Sequence, residues 1–173
     1  RDLHSFPTRR SSDLLVERFA YVHGDAGCGK TQHMCYFTQF ISQFRNVYLL
    51  FGTDFETGKT PGQSIREALG WDDEHIFARL NDEMAQRGRY ATFIIDALNE
   101  GEGTFMWHTL RPALKADIER YPRLKLIVTV RTMEPDDQLS TLFKSGWEKI
   151  EITGFTDIRK AIKKYFKATP IHE

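Results

Sequence analysis

A glycine-rich loop with one lysine and one threonine is the part of this chain best equipped for chemistry. Residues 24–31 match the pattern G-x-x-x-x-G-K-[ST] at every fixed position. Glycines let backbone N–H groups turn inward around phosphate oxygens. Lys30 would reach the β- and γ-phosphates of a nucleotide, and the Thr31 hydroxyl would hold Mg²⁺. The predicted phosphate site comprises Gly24, Asp25, Ala26, Gly27, Cys28, Gly29, Lys30, Thr31 and Gln32.

The surroundings of the loop favour this interpretation. The short apolar run 19–22 precedes it, and residues 31–44 place apolar side chains at helical spacing. A helix N-terminus would add its partial positive charge to the phosphate site. Strand, glycine loop and helix is the context that the pattern requires, and a chance glycine loop is the alternative.

Two acidic residues form a second candidate group. Asp96 directly follows the apolar run 93–95, and Glu100 lies four residues later. A carboxylate at the end of a buried strand can bind Mg²⁺ beside Thr31, directly or through water. A second carboxylate can accept a proton from an attacking water. We therefore predict Asp96 as a metal ligand and Glu100 as the general base; the alternative is an acidic turn after a buried strand.

Arg131 is the third candidate, because it ends the apolar run 124–130. A guanidinium at that point could contact the γ-phosphate and report whether it is present. We therefore place Arg131 with Lys30 and Glu100 in the predicted catalytic group. An exposed arginine after a strand is the alternative. Asp54 and Glu56 follow another apolar run and could line the same site.

Alternating strands and helices must position these side chains. Apolar runs predict strands over residues 19–22, 47–51, 92–95, 124–130 and 150–152. Helical spacing and capping residues predict helices over residues 31–44, 60–70, 73–87, 107–121 and 157–167. Pro112 lies inside the fourth of these helices, so that helix begins or kinks there.

This alternation predicts a three-layer α/β fold. Strands separated by helices form parallel crossovers, and the five-stranded sheet is then mostly parallel and covered on both faces. Such sheets bind ligands beyond the carboxyl ends of their strands. The residues that follow the first, third and fourth strands are the glycine loop, Asp96 and Arg131, as that rule requires.

Composition narrows the class of protein. A chain of 173 residues with 40% hydrophobic residues suits one domain with a substantial core. Lys+Arg and Asp+Glu both number 24, so no strong field favours nucleic acid or an anionic membrane. No apolar run approaches ~20 residues, and no signal peptide is visible, so we expect a cytoplasmic protein. Cys28 and Cys35 do not form a disulfide framework.

The first residues differ in character from the rest. Residue 1 is Arg, and residues 4–14 resemble the conceptual translation of a common sequencing adaptor. We therefore expect residues 1–14 to be an artefactual, disordered leader, with a disordered native leader as the alternative. Residues 15–173 would then form the domain, truncated at its C-terminus because the chain stops after a helix.

With these motifs in place, the chain resembles a STAND-class P-loop NTPase of the NACHT type. The resemblance covers about residues 16–170. The segment that resembles Walker A reads HGDAGCGKT, the extended Walker B reads FIIDALNEGEG, and the sensor-1 strand reads LKLIVTVRT. The Asp-Ala-Leu-Asn-Glu-Gly form is similar to prokaryotic members, including antiviral defence proteins. The resemblance implies that the Walker B strand is not adjacent to the Walker A strand.

The resemblance also implies ATP as the nucleotide, Mg²⁺ and a switch between a closed state and an open, oligomerising state. Slow hydrolysis would suit such a switch better than a motor. Nucleotide is then the direct partner of this region, and self-association belongs to the full-length protein. The commoner NACHT pattern has Gly where this chain has Ala97, and Asp where it has Asn99. Asn99 cannot supply a carboxylate to a metal, whereas Glu100 keeps the catalytic position.

Other readings of the same motifs stay open. An AAA-type motor or loader would need an arginine finger offered to a neighbouring subunit, and no candidate stands out. A binding module could hold nucleotide without hydrolysing it, although Glu100 argues against that. A nucleotide kinase would need an arginine-rich lid after the site, and a GTPase would need an Asn-Lys-x-Asp motif; the sequence contains neither.

Overall fold

The computed structural model of the chain describes residues 18–43, 45–98, 112–131 and 146–152. The strands are β1 (Phe19–Gly24), β2 (Asn46–Phe51), β3 (Ala91–Asp96), β4 (Leu124–Arg131) and β5 (Glu148–Glu151). The helices are α1 (Lys30–Ile41), α2 (Pro61–Ala68), α3 (Ile76–Gln86) and α4 (residues 112–119), and a 3₁₀ turn covers Gly52–Asp54. The predicted leader and the predicted helix over residues 157–167 lie outside the described residues.

The five strands form one parallel sheet in the order β2-β3-β4-β1-β5. All four neighbouring pairs run parallel, so every carboxyl end lies at the same edge. The predicted five-stranded α/β fold is therefore confirmed. Strand β4 separates β3 from β1, so the strand that ends in Asp96 is not adjacent to the strand that leads into the glycine loop, as predicted.

Alternating side chains of the strands build a core on each face of the sheet. In β1, Ala20 and Val22 face one side and Phe19 and Tyr21 face the other. Helix α1 covers the first side with Met34, Phe37 and Ile41. Helices α2, α3 and α4 cover the second side with Ile65, Phe77, Leu80, Met84, Leu114 and Ile118. The result is the three-layer arrangement that the alternation predicts.

An aromatic group packs around Phe93, which is fully buried in β3. The ring centroid of Phe93 lies 5.2 Å from that of Tyr48 and 5.6 Å from that of Phe77. The Trp71 ring completes the group in a T-shaped arrangement, with its centroid 6.3 Å from that of Phe93. Burial raises the pKa of Tyr48 above its ordinary value. These contacts fix β2 and β3 against α3, and so fix the strand that carries Asp96.

Helix starts follow their capping residues. At α2, the Gln63 N–H donates to Thr60 Oγ1 (3.3 Å) and the Thr60 N–H donates to Gln63 Oε1 (2.8 Å). This capping box before Pro61 confirms the predicted start.

The predicted start of α3 was too early. The helix begins at Ile76 because Asp73 accepts the His75 N–H (2.8 Å) and pairs with Arg79 (2.5 Å). These bonds hold the pKa of the Asp73 carboxyl below its ordinary value, and they keep residue 73 in a turn.

Other boundaries also shifted. Helix α1 ends at Ile41, before the predicted position 44, and β5 begins at Glu148, two residues before the predicted position 150.

Among the described residues, no helix combines the length and the apolar character needed to cross a membrane.

Arg18 joins the end of α4 to the sheet. Its Nη2 donates to the carbonyls of Ile118, Glu119 and Tyr121, each at 2.8 Å, and its Nε donates to Leu124 O at 3.2 Å. The last carbonyls of a helix lack partners within the helix, and the guanidinium adds charged donors to those at the end of α4. Arg18 therefore fixes the amino edge of β1 and β4.

We predict that Arg18→Lys lowers the free energy of unfolding by about 1–3 kcal/mol, because an ammonium cannot reproduce the planar fork of donors. Urea unfolding followed by tryptophan fluorescence measures the change. Arg89→Lys, at an exposed arginine two residues before β3, is the control and should stay within about 0.5 kcal/mol of the parent chain. Equal unfolding midpoints for the two variants would contradict this role.

Candidate functional site

The glycine loop turns from the end of β1 into the first turn of α1. Gly27 and Gly29 have φ of 74° and 87°, in the left-handed region that glycine adopts at no steric cost. Gly29 is the N-cap of α1, so the helix starts at Lys30. The loop therefore lies directly at the N-terminus of a helix, where backbone N–H groups and the helix dipole attract anions.

Gly24 and Cys28 shape the base of the loop. A Cβ on Gly24 would lie 2.4 Å from Ile152 O and 2.9 Å from Cys28 Sγ, so the position has no room for a side chain. Cys28 is buried beneath the loop. Both residues belong to the predicted phosphate site. In the structure they pack at the base of the loop and do not line the cleft.

Lys30 folds back over the loop. Its Nζ donates to Gly24 O at 2.6 Å and to Asp25 O at 2.8 Å, and Cys28 Sγ lies 3.6 Å away. The ammonium is thus held at the mouth of the loop by neutral acceptors. An anionic oxygen would be a stronger acceptor for the same donors.

The loop and the acidic strand end meet directly. Thr31 Oγ1 donates to Asp96 Oδ2 at 2.6 Å, although the two residues lie 65 positions apart. Asp96 is buried, with 3% of its surface exposed. The structure therefore brings together the two residues that the sequence predicts as metal ligands.

The chemistry of this pair fits Mg²⁺. A hydroxyl and a carboxylate are hard oxygen donors, and Mg²⁺ in nucleotide sites takes one or two carboxylates with phosphate oxygens and water. In the part of the chain that the structure describes, no three His, Cys, Asp or Glu side chains gather into a metal site made of protein ligands alone.

Thr129 is a site residue to which the sequence analysis assigns no role. Its fully buried hydroxyl donates to Asp96 Oδ1 at 2.5 Å and accepts the Ala97 N–H at 2.8 Å. A threonine within the apolar run 124–130, two positions before Arg131, is the only sequence signal that could have indicated it. A single polar residue in an apolar strand is a weak signal, since threonine is also a common strand former.

An open cleft of about 580 Å³ connects these groups. Ligand sites commonly have volumes of roughly 300–1,000 Å³, so the space suits a nucleotide-sized molecule. Its lining comprises Ala26, Gly27, Gly29, Lys30, Thr31, Gln32, Cys35, Tyr36, Asp96, Ala97 and Thr129. Cys35 and Tyr36 are lining residues that the sequence analysis did not select; they lie on the face of α1 that continues from Gln32.

Of the other predicted site residues, Arg131 lies within the described part of the chain, and two others do not. Arg131 ends β4 opposite Gly24 of β1, so its backbone stands beside the start of the loop. Glu100 and Asn99 lie outside the described residues.

Asp54 and Glu56 do not line the cleft. Asp54 Oδ2 accepts the Phe51 N–H at 2.7 Å, and Glu56 pairs with Lys59 at 2.8 Å. Both carboxylates therefore serve the local structure after β2.

The turn that follows Asp96 is tightly constrained. Ala97 has φ of 53°, a conformation that costs a residue with a Cβ about 1–2 kcal/mol. A Cβ on Gly52 would lie 2.1 Å from Ala97 O and 2.9 Å from Leu98 Cα. The end of β2 therefore touches the turn backbone to backbone, and only glycine permits that approach.

Comparison with known proteins supports the fold. No family model matches the sequence, and no curated protein matches it. Among solved structures, a Walker-type ATPase of Pyrococcus abyssi is similar with a TM-score of 0.52 and 14% identity, over 100% of this chain and 61% of that chain. A DNA replication initiation factor is similar with a TM-score of 0.54 and 15% identity, over 93% of this chain and 48% of that chain.

The Orc1 protein of Aeropyrum pernix, solved in complex with DNA, has a TM-score of 0.51 and 13% identity, over 87% of this chain and 44% of that chain. At these identities the likeness concerns the fold, which is that of the P-loop NTPases. The chain spans less than two thirds of the length of each of these three proteins.

We predict that Gly52→Ala destabilises the chain by about 1–3 kcal/mol and loosens the turn after Asp96, because the new Cβ overlaps Ala97 O. Thermal unfolding measures the first effect, and amide hydrogen exchange at Ala97 and Leu98 measures the second. Gly62→Ala is the control, since a Cβ there meets only ordinary contacts at 3.4 and 3.5 Å. Similar exchange rates in both variants would show that the close approach does not constrain the turn.

Proposed function

We propose that this chain is the ATP-binding and hydrolysing switch module of a larger STAND-class, NACHT-like protein of signalling or antiviral defence. The observation that carries the proposal is the 2.6 Å hydrogen bond between Thr31 Oγ1 and Asp96 Oδ2. It joins a loop with phosphate-binding geometry to a buried carboxylate across a cleft of suitable size. If the glycine loop or the acidic turn were a chance feature, there would be no reason for the two to be in contact.

Each residue then has one task. The loop amides and Lys30 hold the phosphates, and Thr31 and Asp96 are the groups that would hold Mg²⁺. When bound, the metal would neutralise charge on the phosphate oxygens. Glu100 accepts the proton of the attacking water. Arg131 contacts the γ-phosphate from the end of β4, which stands opposite Gly24 in the sheet register.

The assignment to the NACHT type rests on the three motifs, and the geometry at Ala97 adds support. The commoner pattern has glycine at this position, and here the backbone adopts φ of 53°, the region that glycine favours. A turn of this shape after the Walker B acid suits the glycine of the commoner pattern, and Ala97 adopts the same conformation in spite of its Cβ. The function that fits is a nucleotide-biased switch with slow turnover.

A fragment of an AAA-type motor or loader is the second candidate. The similarity in fold to a DNA replication initiation factor and to the Orc1 protein favours it. Such an enzyme takes an arginine from a neighbouring subunit, so its turnover per chain would rise steeply with protein concentration. A switch that hydrolyses ATP within one chain would show turnover independent of concentration.

Several wider features belong to the same proposal. Residues 15–173 are the domain and residues 1–14 an artefactual leader. The direct ligand is ATP with Mg²⁺, and self-association occurs in the longer protein, in the cytoplasm. The charge of the chain gives no direct signal for nucleic acid or membrane, because Lys+Arg and Asp+Glu both number 24 in its 173 residues.

We predict that Lys30→Ala weakens ATP binding by about 100-fold or more, the equivalent of about 2.8 kcal/mol, because the phosphates lose their charged donor. Titration of a fluorescent ATP analogue into the 173-residue chain measures this. Lys59→Ala is the control, since Lys59 pairs with Glu56 and Glu67 and does not line the cleft. Unchanged binding in a folded Lys30→Ala variant would defeat the ATP assignment.

We predict that Glu100→Gln keeps ATP binding and slows phosphate release by about 10²–10⁴-fold, because the amide cannot accept a proton from water. Phosphate release at saturating ATP and Mg²⁺ measures the rate. Asn99→Asp is the companion variant, since it restores the acid of the commoner pattern beside an intact base. Undiminished release by Glu100→Gln would count against Glu100 as the base.

A further inference from the structure

Thr129 carries a hydroxyl into an apolar part of the sheet. Its neighbours in β4, Val128 and Val130, are fully buried, and so is Thr129 itself. Burying a hydroxyl is unfavourable unless it forms hydrogen bonds. Here the hydroxyl bonds to the carboxylate of Asp96 and to the turn that follows it. The two strands are therefore joined by a polar contact at the position where the site needs its acid.

The hydrogen-bonding capacity of this hydroxyl fixes the direction of each bond. The group has one proton and two lone pairs. The proton goes to Asp96 Oδ1 (2.5 Å), and a lone pair accepts the Ala97 N–H (2.8 Å). Oδ1 is thus held by β4, while Oδ2 is the oxygen that meets Thr31. The two oxygens of one carboxylate have separate partners.

The backbone of Thr129 adds a second constraint. Its carbonyl oxygen accepts the Leu98 N–H at 3.0 Å. Both the side chain and the main chain of one residue therefore hold the turn at Ala97 and Leu98.

We propose that Thr129 is a positioning residue of the magnesium site. It holds the Asp96 carboxylate in the orientation that turns Oδ2 toward Thr31, and it holds the turn at Ala97 and Leu98. This role rests on the proposed function, since it acts on the residues assigned there. Thr129 acts through Asp96 and does not itself contact the metal or the reacting atoms.

Thr92 in β3 provides a matched comparison. It is also a buried threonine, with 1% of its surface exposed, in the strand next to β4. Among the described residues its hydroxyl has no hydrogen-bond partner. Replacing either threonine by valine removes one hydroxyl from the sheet with little change of shape, but only one of the two replacements disturbs Asp96.

The test measures how Mg²⁺ affects binding of a fluorescent ATP analogue to the 173-residue chain and its variants. We expect Thr129→Val to raise the half-saturating Mg²⁺ concentration by about 10-fold, because loss of a group that orients a metal ligand typically costs 10–100-fold in metal affinity. Binding of the analogue in EDTA should stay unchanged, because the phosphate loop is intact. Thr92→Val and Thr129→Ser should both behave as the parent chain.

The outcomes separate the possibilities. Identical Mg²⁺ curves for Thr129→Val and Thr92→Val would overturn the role, and so would equal impairment of Thr129→Ser, which keeps the hydroxyl. If Thr129→Val does not fold, Thr129→Cys replaces it, since a thiol is only a weak donor; an unshifted curve for that variant would overturn the role too. A parent chain that binds no nucleotide would overturn the proposed function together with this role.

Discussion

The contact between the Thr31 hydroxyl and the Asp96 carboxylate is the constraint on which the rest of the site depends. It joins the first turn of α1 to the end of β3. The two residues can meet only if β1 and β3 present their carboxyl ends at one edge, and they do so here with β4 between the two strands. Parallel pairing throughout the sheet provides this, and apolar cores on both faces hold it in place. An antiparallel β3 would have carried its acid to the opposite edge.

The polar groups at that edge form a connected set. Lys30 is held by two carbonyls of its own loop, and Asp96 is held by Thr31 and Thr129. The Lys30 and Asp96 side chains are already held in place, so a ligand whose oxygens replace these partners removes little side-chain freedom. Preorganisation of this kind lowers the entropic cost of binding. The core supports the arrangement, because Phe93 and its aromatic neighbours fix the strand that ends in Asp96.

Features encoded within a few residues were predictable from the sequence. The glycine pattern located the loop, apolar runs located all five strands, and the position of Asp96 after a buried run placed it at the correct edge. Features that depend on tertiary contact were not predictable. Thr129 is a single threonine in an apolar strand, and its contact with Asp96 depends on β4 lying beside β3 in the sheet. The start of α3 was misplaced because the Asp73 side chain competes with the helix for backbone N–H groups.

Gly52 has a consequence for how this site could be controlled. It follows β2, which stands at one end of the strand order, and it presses directly on the backbone of the turn after Asp96. Rigid main-chain contacts transmit displacement better than flexible side chains do. A shift of the outermost strand would therefore reach the acidic centre mechanically, from the rim of the sheet and through the backbone of Ala97.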